Sequence, residues 1–260
     1  MITNALKCWR IVLAGWLFGW FCKVQFYLPY LFKTVWEAPV RSEFFPGIFM
    51  NNAVSALFFV LPFFCFIGFY THKIMVMRCC GWVMLISSVV MNLHLNTYND
   101  ATFVTSFWVS LWILWMVEAM RKGHRHLIQH ACLLAQLIVA LIFLGGWVGK
   151  LTSEYLTGDV IYYIFYVQTT ASFLGFLVQG AGPLTQKVFF GIIAKFIIGG
   201  ELLLAANFLF PFTVSFYLGV ALIPLLIFFS TWRILSVISG LLGLLVGCYV
   251  LQRNLNEQFA

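Results

Sequence analysis

Apolar residues fall along this chain in helix-length blocks separated by short polar connections, with no strict alternation of polar and apolar positions. About twenty apolar residues carry an α-helix across the hydrocarbon core of a bilayer. Blocks without alternation argue against a transmembrane barrel. The pattern predicts helices near 10–32, 48–70, 74–95, 101–120, 127–149, 160–179, 188–208, 211–229 and 232–251. Gln168, Thr169, Thr170 and Ser172 interrupt the sixth block, so the pattern leaves it open between a span, a surface segment and two half-helices. The fold class is therefore all-α: a polytopic transmembrane helical bundle of about 8–9 spans. It is expected as a single membrane domain over 1–260, with no soluble domain.

Composition agrees. The chain is 63% hydrophobic and 9% charged, against about 25% charged residues in soluble domains. A formal charge of +7 would suit nucleic acid, but the basic residues sit at span ends, where a positive-inside bias accounts for them. No nucleic-acid partner is expected; membrane lipid is. The seven cysteines lie mostly within apolar runs and form no CxxC. They read as small core residues, and Cys79-Cys80 as an adjacent pair unsuited to a tetrahedral metal site. No metal site is expected.

The connections suggest an orientation. His72, Lys73 and Arg78, and then Arg121, Lys122 and Arg125, make two basic connections. They alternate with neutral or acidic ones around Asn99-Asp100 and around Glu154 and Asp159. With Lys7 and Arg10 ahead of the first block, the N-terminus is expected in the cytoplasm of a multi-pass protein. Asn99, Asp100 and Lys150 then share the opposite side.

Three places carry candidate chemistry. At Gly145-Gly146-Trp147-Val148-Gly149-Lys150, an uncharged run ends on a lysine, with Glu154, Tyr155 and Asp159 following. A lysine there either snorkels or is used. His94, Asn96, Tyr98, Asn99 and Asp100 cluster at the turn before the fourth block. Asp100 reads either as the N-cap of that helix or as the partner of Lys150. Glu201 lies inside the apolar run 189–210 together with Lys195. An acid at membrane depth marks a functional site or a buried ion pair. Six residues apart, these two do not share a helical face, so each is expected to have a partner elsewhere.

Gly149-Lys150-Leu151, followed by Tyr155 and Gly158, resembles the Gly-x-x-Lys-Leu-x-x-x-Trp-x-x-Gly pattern of the horizontally transferred transmembrane (HTTM) domain, shared with vitamin K-dependent gamma-glutamyl carboxylase. Asn99-Asp100 resembles that family's Asn-His turn, and Gly199-Gly200-Glu201-Leu202-Leu203-Leu204 its Gly-Gly-x-Leu-Leu-x helix. The resemblance implies that Lys150 is a base toward a reduced, vitamin K-like quinone and that the pocket faces away from the cytoplasm. Asp100 stands at the family's histidine and Tyr155 at its tryptophan. The resemblance also extends to a bacterial membrane protein that matures a secreted peptide toxin, which implies a bacterial inner membrane and a peptide or protein substrate.

The expectation is thus a membrane enzyme acting on a lipid-soluble quinol or a secreted peptide. Lys150 and Asp100 are its catalytic candidates, and Asn99, Glu201, Glu154, Tyr155 and His94 its binding candidates. The alternatives are a non-catalytic subunit or maturation factor that scaffolds a membrane partner, and a small transporter with Lys195 and Glu201 as coupling charges.

Overall fold

A computed structural model describes residues 2–24, 51–94, 100–123, 125–163, 177–178, 180–228 and 235–256. Every regular element among them is helical: α1 (Ile2–Cys22), α2 (Asn52–Val60) continuing as a 3-10 segment (Leu61–Phe69), α3 (Ile74–Asn92), α4 (Ala101–Lys122), α5 (Arg125–Gly149), α6 (Ser153–Leu156), α7 (Asp159–Tyr162), α8 (Pro183–Ala205) continuing as a 3-10 turn (Ala206–Leu209), α9 (Phe212–Phe228) and α10 (Leu235–Asn256). Six are long and apolar enough to cross a membrane: Thr3–Cys22, Ile74–Asn92, Ala101–Lys122, His130–Gly149, Pro183–Leu209 and Leu235–Arg253. In hydrocarbon a helix is the one open-ended element that satisfies all its own backbone groups, which is why long apolar blocks fold this way.

Two expected spans are shorter apolar helices, Ala53–Phe69 and Phe212–Leu226. Pro62 opens the 3-10 segment after Val60, and Pro224 lies inside α9; a proline removes one helical hydrogen bond and crowds the preceding turn. The tighter 3-10 winding rises about 2 Å per residue against about 1.5 Å in an α-helix. Residues 52–69 therefore still cover about 30 Å. Most of the sixth expected span, including Gln168, Thr169, Thr170 and Ser172, lies outside the described residues. The first helix begins at Ile2, ahead of the expected start near 10, because Lys7 turns outward while Ala5, Cys8 and Trp9 turn inward. Arg10 then donates to the Thr71 carbonyl at 3.2 Å.

The chain divides into two compact units, Met1–Ala135 with Arg233–Ala260, and Gln136–Trp232. In the first, α1 lies along α10. A Cβ on Gly15 would come within 2.5 Å of the Ser239 carbonyl, and one on Gly19 within 2.4 Å of the Ser236 carbonyl. Only glycine lets these backbones approach so closely. Trp16 and Trp20 stack at 4.7 Å between ring centres. Their indole N–H groups donate to the carbonyls of Ser106 (3.0 Å) and Phe59 (2.8 Å), which ties α1 to α4 and α2. Five of the seven cysteines are buried; Cys22 is half-buried and Cys79 is exposed, so the reading as core residues fails at Cys79.

Asp100 caps α4. Its Oδ1 accepts from the Thr102 N–H at 2.8 Å, and its Oδ2 receives the Lys23 ammonium at 2.6 Å. The other end of α4 closes on Gly123 at φ 65°. Asp100→Ala is expected to destabilise this unit by more than the ~1 kcal/mol of an ordinary N-cap, because it also strips a counter-ion from buried Lys23. Asp100→Asn keeps the cap and isolates the charge. Detergent-titrated unfolding of the two variants measures the difference, and an Asp100→Asn variant as stable as wild type beside an ordinary cap loss in Asp100→Ala would show that the ion pair contributes nothing.

In the second unit, the middle of α5 anchors to the turn between α8 and α9. Gln136 Nε2 donates to Ser215 Oγ (2.6 Å) and to the Phe210 carbonyl (3.1 Å). Ser215 in turn donates to the Asn207 carbonyl at 2.6 Å. A buried amide such as that of Gln136 is costly without such partners. They tie α5 to the turn that ends α8.

Candidate functional site

Lys150 follows the last residue of α5, where helix carbonyls lose their intrahelical donors. Its Nζ donates to the Gly146 carbonyl at 3.3 Å, and a cation at this end also meets the negative pole of the helix. The same Nζ reaches both carboxylate oxygens of Glu201 on α8, at 2.7 and 2.8 Å. Glu201 is 4% exposed, while the Lys150 side chain is 24% exposed. The pair is therefore asymmetric: the acid is sealed and the amine keeps an open edge. A Cβ on Gly146 would sit 3.3 Å from Glu201 Oε1, so the glycine lets the carboxylate lie against α5.

The loop after Lys150 supplies the third member. Thr152 caps α6 by accepting from the Tyr155 N–H, and Tyr155 is buried, 8% exposed. Its ring lies 5.8 Å from the Lys150 ammonium, within cation–π range. Burial first, and the Glu201 charge second, push its phenol well above the usual tyrosine range, so it stands as a neutral O–H. The loop then turns at Gly158 (φ 86°) against the backbone of Phe190 and Gly191 on α8. Asp159, just beyond, pairs with Lys187 at 3.2 Å on the exposed surface. The Thr157 hydroxyl first, and Lys187 second, hold its carboxyl below the usual range.

Of the sequence-predicted residues, Lys150, Glu201 and Tyr155 come together. Glu154 is exposed on α6, its carboxyl lowered by its own backbone N–H and by the Ser153 hydroxyl; it belongs to the surface beside the site. Asp100, expected as the partner of Lys150, has Lys23 as its counter-ion, while Lys150 has Glu201. The N-cap reading of Asp100 holds. His94 is buried after α3 in the first unit, its N–H donating to the Met91 carbonyl at 3.4 Å. Asn99 lies outside the described residues. The partner expected elsewhere for Glu201 is Lys150. Lys195 is exposed on α8, with no ion pair or hydrogen bond among the described residues.

Lys23 escaped the sequence reading. The available signal was a charge inside the first apolar block, the same signal that exposed Glu201. No group of three or more His, Cys, Asp or Glu side chains among the described residues is placed to hold a metal ion.

Among the described residues, the regular elements that carry the site are all helical, and six of the described helices are long and apolar enough to cross a membrane. Comparison with protein-family models, with curated proteins and with solved structures finds no match for this chain.

Proposed function

We propose that the Lys150–Glu201 pair is the proton-transfer site of a membrane enzyme of HTTM-like type, acting on a lipid-soluble quinol or a membrane-presented peptide. The observation that carries this reading is the asymmetry of the pair, an open amine backed at 2.7 Å by a sealed carboxylate. A purely structural ion pair has no need of an open cation. Val148, Leu151 and Leu156, within six residues of Lys150 along the chain, are exposed apolar side chains, which fits a ligand with a hydroxyl group and an apolar body.

The residues support a simple proton balance. Lys150 hands one proton to Glu201, which leaves a neutral amine and a carboxylic acid with the proton count unchanged. The amine lone pair then takes the proton of the ligand hydroxyl, whose anion faces the restored ammonium. Glu201 keeps the first proton until the ligand leaves. A coupled pair of this kind titrates as a unit. Tyr155, neutral and buried, supplies the ring face against which the ammonium rests. A reduced quinone bound here would contribute the acidic hydroxyl and an electron pair for molecular oxygen. The proposed topology keeps the N-terminus in the cytoplasm and the site on the far side.

Oxygen uptake by the protein in lipid nanodiscs with reduced quinones tests this. Wild type is expected to turn over, and Lys150→Ala to lose at least about 100-fold, the usual contribution of a general base. Lys150→Arg keeps the ion pair but holds its proton, so it is expected to fail as well. No turnover with any quinol from well-folded wild type, or full turnover in Lys150→Arg, overturns the reading. A second reading, an accessory subunit that holds a membrane partner, is favoured by the apolar groove between α8 and α9, lined by Ile192, Phe196, Leu222 and Leu225.

A further inference from the structure

We infer that the start of α3 and the end of α4, which lie together in the first unit, hold the phosphate of an anionic phospholipid between Arg78, Arg121 and Lys122. Arg78 sits in the second turn of α3, and Glu118 sits near the end of α4. Glu118 gathers both guanidinium groups. Its Oε1 lies 3.3 Å from Arg78 Nε, and its Oε2 accepts from Arg121 Nε at 2.8 Å. Both contacts use Nε, so the terminal N–H groups of the two arginines have no partner among the described residues. Lys122, exposed and four residues after Glu118, adds a third cation to the same helical face. Three cations against one carboxylate leave a surplus of two positive charges. The acid is the inner member: Glu118 Oε1 is sealed from solvent, while the two arginine side chains are about half-exposed. An incoming anion therefore meets the guanidinium groups first.

What lies beside the cations decides the ligand. The two helices run antiparallel here: Arg78 meets Glu118, and a Cβ on Gly81 would come within 2.7 Å of Leu114 Cδ2. Trp82 and Ile86 follow Arg78 on α3 at helical spacing, and Trp115 precedes Glu118 on α4 by three residues. All three are exposed, so the charged faces continue directly into apolar ones. About one helical turn, roughly 5 Å, separates charge from indole. In a bilayer that is the step from the phosphate to the interface where tryptophan gathers. A free phosphate uses the cations alone, whereas a phospholipid uses both halves, its phosphate on the arginines and its acyl chains on Trp82, Trp115 and Ile86. Guanidinium groups take phosphate oxygens through paired N–H bonds. Phosphatidylcholine carries the same phosphate beside a quaternary ammonium, which the surplus positive charge repels, so an anionic headgroup is preferred. Basic pockets between spanning helices are suited to such headgroups. A positive-inside bias needs only basic residues near a span end; it does not need two of them to converge on one carboxylate.

The probe is phosphatidylglycerol brominated on its acyl chains, titrated into phosphatidylcholine nanodiscs that hold the full chain. Bromine quenches tryptophan fluorescence on contact, and brominated phosphatidylcholine gives the reference. The anionic lipid is expected to reach half of its quenching at a mole fraction at least about fivefold lower, the scale of one basic side chain at an anionic surface. That preference should vanish when Arg78→Gln and Arg121→Gln are combined. It should also fall when Arg78→Lys and Arg121→Lys are combined, which keeps the charge but not the N–H fork. Lys7→Gln removes an exposed cation from the same end of the unit, where Arg10 donates to the Thr71 carbonyl, and should leave the preference intact. Trp82→Phe with Trp115→Phe should abolish the extra quenching, because these indoles report the site. Equal quenching of wild type by the two lipids overturns the proposal without reference to any variant. A preference undiminished in the double lysine variant, or lost equally in Lys7→Gln, shows attraction by general surface charge and overturns it too. Extra quenching that survives the loss of Trp82 and Trp115 places the lipid elsewhere, with the same consequence. If millimolar inorganic phosphate abolishes the preference, the cations serve free phosphate and the lipid proposal is overturned. None of these readouts depends on turnover at Lys150, so the two proposals stand or fall separately.

Discussion

Lys150→Met is expected to destabilise the second unit by about 3 kcal/mol, and Glu201→Leu added to it to restore most of that loss. The single change leaves a carboxylate at 4% exposure without the ammonium that neutralised it. Removing one partner of a buried pair costs far more than the pair itself contributes, because the remaining charge has lost both water and counter-ion. Replacing both partners by apolar side chains of similar volume removes the desolvation cost along with the attraction. The open edge of Lys150 moderates the effect, since water or a headgroup can reach the amine side. The measurement is detergent-titrated unfolding of wild type, both single variants and the double variant. A coupling energy near zero would mean that the two groups are solvated independently, and the proton-transfer proposal would lose its physical basis. A large coupling with no quinol-dependent oxygen uptake would leave the pair as a structural clamp between α5 and α8.

The second large effect is expected at Gly158. Gly158→Ala should cost about 3 kcal/mol or more, combining a left-handed backbone that disfavours any side chain with overpacking. Its Cβ would come within 2.3 Å of the Gly191 amide nitrogen and 2.5 Å of the Phe190 carbonyl carbon. These are backbone atoms inside α8 and cannot swing aside as a side chain would. The loop bearing Tyr155 would have to lift from the helix bearing Glu201, so the Lys150–Tyr155 contact should loosen with it. Gly145→Ala is the control, because a Cβ there meets nothing within 4 Å and alanine favours helix over glycine. Thermal unfolding of the two variants should show a large loss for the first and little change for the second. Equal behaviour would show that the loop moves freely on α8.

Both expectations rest on parts of the chain that differ in how far the sequence reveals them. Gly158 was legible as a motif position, but its reason was not: the strain at φ 86° and the neighbouring backbone of Gly191 exist only after the loop folds onto α8. Glu201 was conspicuous because an acid inside an apolar run is rare and costly. Its partner was not, since Lys150 lies 51 residues away and nothing local selects it over Asp100. The Asp100 cap was legible because an N-cap is decided within three residues. Its ion pair with Lys23, 77 residues apart, was not.

The sequence alone determined that this protein is helical and suited to a membrane, because the transfer of apolar side chains into hydrocarbon is a sum over consecutive residues and needs no knowledge of neighbours. It also marked the places where ionisable groups interrupt that sum: Lys150, Lys195 and Glu201. The tertiary structure decided which of these charges meet. Pairing depends on how the end of α5 meets α8, fixed by the Gln136–Ser215–Asn207 hydrogen bonds at the α8–α9 turn, the glycine at 146 and the packing of Gly158 on α8. Those contacts join residues far apart in the chain. The electrostatics of the site follows from them, because the attraction between two charges depends on their separation in space and not on their distance along the sequence.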